Sequence, residues 1–241
     1  MVLGDSMTWG TAGPDATWTR AAETALGPSW ELVNLSHYGY DAHQALATLD
    51  RLGWALHPAQ VVYAAYVNDL VPTELITVGD PPMPAWVGPR GNPLRGWSSL
   101  ARRVEGAVRV RGFTERDDPT AWAAAVATMR DDCAARGVPF WLLGLVPHVL
   151  AEPELTPCDA AAGAPGRCAT AEARHRLQER LAIGLGVPFV STVPTWRRGP
   201  ARSWFPEGST DWEHPSPAGH AFLGKEVAAM IAAQPEFGAA P

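Results

Sequence analysis

The sequence predicts an α/β fold in which helices cover both faces of a five-stranded parallel sheet. Short apolar runs with many β-branched and aromatic residues alternate with longer segments of helical periodicity along the whole chain. The short runs are almost continuously apolar, as strands buried on both faces require. Each run is bounded by Gly, Pro or polar residues. Together these observations indicate a three-layer α/β/α sandwich.

The predicted strands and helices follow from this alternation. In chain order the strands are Met1–Gly4, Glu31–Ser36, Gln60–Tyr66, Pro139–Pro147 and Pro188–Thr192. The helices are Thr17–Leu26, Asp41–Leu56, Trp97–Val108, Pro119–Arg136, Ala169–Leu185 and Pro217–Ala233. The first strand is shorter than the usual length of about five or six residues, which leaves open an upstream segment with a leader or a membrane anchor.

Length and composition favour a single domain that spans residues 1–241. Hydrophobic residues make up 46% of the chain and charged residues 18%, which excludes a disordered or fibrous protein. Two Pro/Gly-rich stretches, at about 77–96 and 150–167, are interpreted as loop insertions and not as domain boundaries.

Charge and hydropathy narrow the range of partners. The formal net charge is -6 and no basic run could follow a phosphate backbone, so nucleic acid is not an expected partner. No apolar run approaches the roughly 20 residues that span a bilayer, and the N-terminus lacks the pattern of a signal peptide. We expect a chain that is soluble as given. An extracytoplasmic location stays open if a leader precedes it, and the sequence does not determine the oligomeric state.

Three cysteines are too few for a disulfide framework. Cys133 falls in a helical pattern and is expected to be a buried free thiol. Cys158 and Cys168 bracket an Ala/Gly/Pro-rich loop whose length permits a bridge, and two reduced thiols fit the pattern equally well.

Ser6 is a candidate nucleophile because of its position. In open parallel sheets, ligands bind beyond the carboxyl ends of the strands. Ser6 follows the first predicted strand in the segment GDSMTWG (Gly4–Gly10), where a turn would expose its hydroxyl among backbone N–H groups. For a serine at the end of a strand, taken alone, a helix or turn cap is the more common role. The segment is not the Gly-x-Ser-x-Gly elbow of α/β-hydrolases, because Thr8 replaces the second glycine.

A candidate acid–base pair lies near the other end of the chain. Asp211 and His214 are three residues apart, in a loop before the helix predicted to begin at Pro217. One turn at this spacing brings the carboxylate to an imidazole nitrogen, and the imidazole then accepts a proton from a serine. A surface turn shows the same pattern, and a metal site would need further ligands.

Two more residues follow predicted strands and are suited to stabilise an oxyanion, namely Gly39 through its N–H and Asn68 through its side-chain amide. With them the sequence resembles the SGNH (GDSL-like) hydrolase family. The segments GDSMTWG, HYGYD, YVND and DWEHPSPAGH resemble the family's blocks, occur in the family's order and span almost the whole chain.

The resemblance implies a flavodoxin-like α/β/α fold and a serine hydrolase that cleaves carboxylic esters through an acyl-enzyme. Ser6 is then the nucleophile, with Asp211 and His214 as its acid–base partners. Ser6, Gly39 and Asn68 would form the oxyanion hole, and no metal or cofactor is implied.

Two residues depart from the family's pattern. Met7 replaces a common Leu or Phe, and Tyr66 stands where a Gly usually precedes the Asn of the third block. Neither change removes a reacting group. Tyr66 is nevertheless expected to crowd the backbone near Asn68.

The tryptophans bear on the substrate, an ester of a small molecule or a saccharide. Of the 11 present, Trp122 and Trp141 are expected in the core, whereas others fall near Ser6 or in Pro/Gly/Arg-rich segments. The candidate substrate-binding residues are Trp9, Trp86, Trp97, Trp196 and Trp204. Flat aromatic faces favour a short-chain or carbohydrate O-acetyl esterase. The alternatives are a general GDSL-type lipase or lysophospholipase-like esterase, a saccharide O-acyltransferase, and a catalytically silent carbohydrate-binding module.

Overall fold

The computed structural model describes residues 1–10, 13–70, 118–146, 165–197, 204 and 214–233, with the backbone alone for residues 14 and 165–170. The chain divides into two compact units, Met1–Leu70 with Asp118–Pro241, and Val71–Asp117. All described residues lie in the first unit. The predicted helix Trp97–Val108 and most of the two predicted insertions lie outside the described residues, and the single domain stays a prediction.

Strands and helices alternate in the order that the sequence predicts. The strands are β1 (Val2–Gly4), β2 (Val61–Ala65), β3 (Phe140–Gly144) and β4 (Phe189–Ser191). The α-helices are α1 (Ser6–Trp9), α2 (Trp18–Leu26), α3 (Ala42–Thr48), α4 (Pro119–Ala135), α5 (Pro165–Gly184), α6 (Val193–Trp196) and α7 (Pro217–Ala233). A π-turn at Leu49–Gly53 and 3₁₀ turns at Pro14–Ala16, Trp54–Leu56 and Val67–Leu70 complete the described elements.

The four strands form one parallel sheet in the order β1-β2-β3-β4. Asn34 forms an isolated parallel bridge with Val2, so the chain after β1 runs along the free side of β1 before it crosses to β2. This is the flavodoxin-like order, with the point where the strand order reverses at β1.

The predicted second strand, Glu31–Ser36, is not a regular strand in the structure, and the prediction of five strands is wrong for the described residues. Backbone bonds still join this segment to β1, from Val2 N to Val33 O (2.9 Å) and from Leu35 N to Val2 O (2.9 Å). The Ser36 N–H, however, donates to Oδ1 of Asn34 at 3.0 Å. Residues 33, 35 and 37 face β1, so this local bond satisfies an N–H on the side of the segment that faces away from β1.

The helices begin where the sequence provides a cap. The Thr17 hydroxyl accepts from the Arg20 N–H at the start of α2. Asp41 and Gln44 form a reciprocal capping box at the start of α3. Before α7 the Ser216 hydroxyl accepts from the Gly219 N–H at 3.1 Å. These bonds satisfy N–H groups that have no partner within the helix.

Successive strand residues point to opposite faces of the sheet and form two cores. The first core joins the sheet to α2 and α7, and includes Val2, Val62, Trp141, Trp18 and Val227. The second core joins it to α3, α4 and α5, and includes Leu3, Tyr63, Leu142, Met129 and Ala182. The period of two along buried strands therefore produces the predicted three layers.

Predictions for individual core residues are also met. Trp122 and Trp141 are buried, as is the free thiol of Cys133. Burial raises the pKa of Cys133 to about 12. Cys158 and the side chain of Cys168 lie outside the described residues, so a bridge between them stays an open prediction.

Candidate active site

Ser6 lies directly beyond the carboxyl end of β1, at the point where the strand order reverses. Ligands bind in the crevice at such points of open α/β sheets. β1 and β2 lie close together at Gly4, two residues before Ser6. A Cβ at Gly4 would lie 2.9 Å from the carbonyl oxygen of Ala64 on β2, so this close packing requires glycine. The sequence therefore places a serine where the topology opens the sheet.

The short helix α1, which begins with Ser6, is capped at both ends. A carboxylate oxygen of Asp5 accepts from the Met7 N–H at 2.9 Å, and Gly10 closes α1 with a bond to the Ser6 carbonyl. Within the described part of the chain, no group accepts a hydrogen bond from the Ser6 N–H. This N–H is available to an oxyanion beside the hydroxyl.

The structure brings Ser6 and His214 together. The Ser6 Oγ lies 2.8 Å from Nε2 of His214, and the two residues are 8% and 7% exposed. His214 is held by the loop before α7, in which the Ser216 N–H donates to the carbonyl of Trp204 at 2.6 Å. Asp211 lies outside the described residues, so its predicted bond to His214 stays a prediction.

Gly39 lies in a turn on the other side of β1. The His37 N–H donates to the Gly4 carbonyl at 3.2 Å, and the Tyr40 N–H closes the turn on the His37 carbonyl. Gly39 has φ +76°, a conformation that side chains other than glycine rarely adopt, although no atom lies within 4 Å of where its Cβ would be. Backbone conformation, and not space, requires glycine here.

Asn68 lies in the turn beyond β2, the strand next to β1. It is exposed, whereas Val67, Asp69 and Leu70 in the same turn are buried. Because β1 and β2 are parallel neighbours, their carboxyl ends place Ser6 and Asn68 at one edge of the sheet.

The crowding near Asn68 that the sequence predicts for Tyr66 stays a prediction. Its side chain is 2% exposed and packs in the first core. Its carbonyl accepts from Nε2 of Gln178 at 2.7 Å. A large apolar ring gains more by burial than it would beside a polar turn, so it points inward.

Exposed aromatic rings border the Ser6–His214 pair. Trp9 is 47% exposed and Tyr38 is 62% exposed. The Tyr38 ring stacks near His214 with centroids 6.3 Å apart, and His37 contacts both Trp9 (6.2 Å) and Tyr40 (4.9 Å). We call Trp9, His37, Tyr38 and Tyr40 the aromatic rim. Sequence reasoning identified Trp9 alone, although the HYGY run around Gly39 signals the other three.

Two other tryptophans are not at the rim, which corrects the sequence-based expectation. Trp196 and Trp204 are 1% and 5% exposed and belong to the first core. Trp204 stacks on Phe222 of α7 with centroids 3.8 Å apart. These rings belong to an Arg-rich segment, but they pack against apolar residues of α7 and are therefore buried. Trp86 and Trp97 lie outside the described residues.

A second Ser–His contact involves the last residue of β4. Nε2 of His175 lies 2.8 Å from Oγ of Ser191. This Oγ also accepts from the Val193 N–H at 3.3 Å, and burial lowers the pKa of His175 to about 4. The contact joins α5 to β4, and the bond from Val193 closes the turn between β4 and α6.

A cavity of about 520 Å³ lies at the amino ends of the strands, lined by Met1, Gln60 and Pro139 among others. It is at the edge of the sheet opposite Ser6. Within the described residues, no cluster of three or more His, Cys, Asp or Glu side chains is arranged to hold a metal ion. None of the described helices has the length and hydropathy needed to cross a membrane.

No protein-family model matches the sequence, and no curated protein matches it. Solved structures do match. A structure of TesA is 20% identical, with TM-score 0.56, over 95% of this chain and 96% of that chain. A putative lipolytic protein of the G-D-S-L family from Desulfitobacterium hafniense is 13% identical, with TM-score 0.58, over 95% and 97%. The acetyl xylan esterase AlAXEase is 12% identical, with TM-score 0.60, over 95% and 98%. The chain therefore has the fold of the SGNH (GDSL-type) hydrolases.

Proposed function

We propose that this chain is a serine ester hydrolase of the SGNH type, with Ser6 as nucleophile and His214 as general base. The observation that carries the proposal is the 2.8 Å contact between Ser6 Oγ and His214 Nε2. It lies at the carboxyl end of a parallel strand, where α/β folds bind ligands. Asp211 is the proposed third member, which orients the imidazole and stabilises its protonated form.

The proposed reaction has two halves. His214 takes the proton of Ser6 as Oγ attacks the ester carbonyl, and the protonated imidazole then gives this proton to the departing alcohol. An acyl group remains on Ser6. His214 next takes a proton from water, the hydroxide oxygen attacks the acyl carbon, and the carboxylic acid leaves as the proton returns to Ser6.

Three donors are proposed for the oxyanion of each tetrahedral intermediate. They are the Ser6 N–H at the start of α1, the Gly39 N–H and the Asn68 side-chain amide. The position of Ser6 at a helix start and the exposure of Asn68 support this assignment. All three follow β1, its bridged neighbour or β2, whose carboxyl ends are at the same edge of the sheet, and this supports the assignment.

Ser6 is a better candidate nucleophile than Ser191, which also contacts a histidine at 2.8 Å. The Ser191 hydroxyl already accepts from a backbone N–H, and His175 Nδ1 is buried without a partner among the described residues. Burial lowers the pKa of His175 to about 4, which makes it a poor base at neutral pH.

For the substrate we propose a short acyl group, acetyl, on a carbohydrate alcohol. The exposed ring of Tyr38 lies near His214, and the exposed ring of Trp9, on the same short helix as Ser6, lies near His37; both present flat faces on which a sugar ring stacks. One protein with this fold is an acetyl xylan esterase, so the fold accommodates such a substrate.

Labelling with a fluorophosphonate tests the chemistry. We expect one adduct, mapped to Ser6 by peptide mass spectrometry and absent from Ser6→Ala. Ser191→Ala is the matched control, because it removes the other serine that contacts a histidine, and its labelling should equal that of the wild type. A folded protein without an adduct on Ser6 refutes the proposal.

A chain-length series tests the substrate. We expect p-nitrophenyl esters with about two to four carbons in the acyl group to be cleaved fastest, because a pocket that holds only a small group excludes longer acyl chains. Acetylated oligosaccharides should release acetate. A preference for acyl chains of about eight carbons or more, without acetate release, overturns the substrate proposal and leaves the Ser6 chemistry intact.

A further inference from the structure

We propose that Asp69 is a positioning residue, whose buried carboxyl group ties the turn of Asn68 to the hydroxyl of Tyr63 on β2. The inference rests on the proposed function, because it assigns Asp69 a role in presenting Asn68 to the oxyanion.

The geometry is a two-point anchor. One carboxyl oxygen of Asp69, Oδ2, accepts from the Tyr63 hydroxyl at 2.6 Å and from the Tyr66 N–H at 2.9 Å. Tyr63 is in the middle of β2 and 1% exposed in the second core. The turn Val67–Leu70 is thereby bonded to a side chain that the sheet holds rigidly.

The buried residues of this turn connect the anchor to the exposed Asn68. Val67, Asp69 and Leu70 are buried, and Asn68 is the exposed residue of the turn. A 3₁₀ turn of four residues has few hydrogen bonds of its own. The bond from Tyr63 adds a fixed point in the sheet to the local bonds of the turn, which run from Asp69 N to Tyr66 O (3.0 Å) and from Asp118 N to Leu70 O (2.6 Å).

The surroundings of Asp69 act in opposite directions on the pKa of its carboxyl group. Burial, and next the charge of Asp5, raise the pKa of Asp69 well above its usual range. Asp41 acts in the same direction, whereas the bonds from Tyr63 and Tyr66 lower the pKa. An asparagine has the same shape and keeps one carbonyl oxygen for both donors.

Three variants test the inference through kcat and KM for p-nitrophenyl acetate. We expect Asp69→Ala to lower kcat by about 10- to 100-fold, less than complete loss of an oxyanion donor, with little change in KM. Asp69→Asn should keep kcat within about threefold of the wild type, since it retains the acceptor. Tyr63→Phe, which removes only a hydroxyl, should lower kcat in the same direction as Asp69→Ala.

A double variant separates positioning from stability. If Asp69 acts through Asn68, Asn68→Ala with Asp69→Ala is no slower than Asn68→Ala alone. Met129→Ala is the control: it opens a gap in the same core, so it should lower the melting temperature and leave kcat unchanged.

The outcomes are distinct. Wild-type kcat in Asp69→Ala, or a loss that adds fully to that of Asn68→Ala, overturns the inference. If Asp69→Ala does not fold, Tyr63→Phe in the same double-variant comparison decides it. A wild-type protein that neither hydrolyses esters nor reacts with a fluorophosphonate refutes the proposed function itself. An active enzyme with an unaffected Asp69→Ala refutes only the positioning role.

Discussion

Ser6 Oγ and His214 Nε2 lie 2.8 Å apart, although 208 residues separate them in the sequence. Neither residue is in a core cluster, and each is held by a local cap, Asp5 before α1 and Ser216 before α7. The contact therefore depends on how β1 and α7 are placed by the sheet and its covering helices.

Ser6→Ala and His214→Ala should each reduce hydrolysis of an activated acetate ester by at least about 10⁴-fold, because each removes one member of a unit that transfers the proton. The double variant should be no worse than either single variant. Steady-state rates check the effect, and thermal unfolding should stay near that of the wild type. Substantial turnover in either folded variant contradicts the assignment.

Asn68→Ala should lower kcat by about 10²–10³ with a smaller change in KM, the usual result of removing one oxyanion donor. Asn68 is exposed, so its loss should not destabilise the fold. Kinetics and thermal unfolding are measured on the same sample. A change in KM alone, or lost stability with normal kcat, would indicate that Asn68 only shapes the turn.

Trp9→Ala and Tyr38→Ala should raise KM for an acetylated oligosaccharide by about 2- to 10-fold, because each removes an exposed ring beside the reacting pair. The KM for p-nitrophenyl acetate should change less. Leu52→Ala is the control, since Leu52 is 57% exposed and lies in the turn after α3. Equal KM values for wild type and both rim variants would exclude the aromatic rim from substrate binding.

Stability should fall in acid through His220. This residue is fully buried, with Nδ1 accepting from the Trp18 N–H, and burial together with His214 lowers its pKa to about 4. The unfolded chain takes up a proton near pH 6.5 and the native state does so only near 4. Stability is thus intact above about pH 6.5 and falls between the two values by up to about 1.4 kcal/mol per pH unit.

His220→Asn tests this origin, because an amide oxygen can replace Nδ1 as acceptor without titrating. Urea unfolding at pH 7 and pH 5 should show a smaller loss of unfolding free energy in the variant than in the wild type. His175, whose pKa burial also lowers to about 4, contributes equally to both proteins. The same loss in both proteins would exclude His220 as the cause.

The Cys133 thiol should resist alkylation in the native protein. It is fully buried, and burial raises its pKa to about 12, so both access and thiolate are lacking at pH 8. Mass spectrometry of the Cys133 peptide after iodoacetamide treatment should show modification only in denaturant. Rapid modification without denaturant would mean that α4 opens readily.

Local patterns were enough to predict much of this molecule from its sequence. The apolar runs of β2 and β3 are buried on both faces, and the caps Thr17, Asp41 and Ser216 begin the predicted helices. These features depend on neighbours within a few residues, so the sequence carries them directly. Ser6 and Gly39 were likewise identified by the turns that follow strands.

Only the tertiary structure decided which residues meet. Trp196 and Trp204 resemble loop residues in the sequence, yet both are in the core, where they pack against Phe222 of α7. Tyr38 resembles an ordinary aromatic residue, yet it lies against His214. Glu31–Ser36 has the composition of a strand, but it pairs with β1 only through an isolated bridge between Asn34 and Val2. Burial and strand pairing depend on which residues from distant parts of the chain pack against a given residue. The sequence around that residue does not identify those partners.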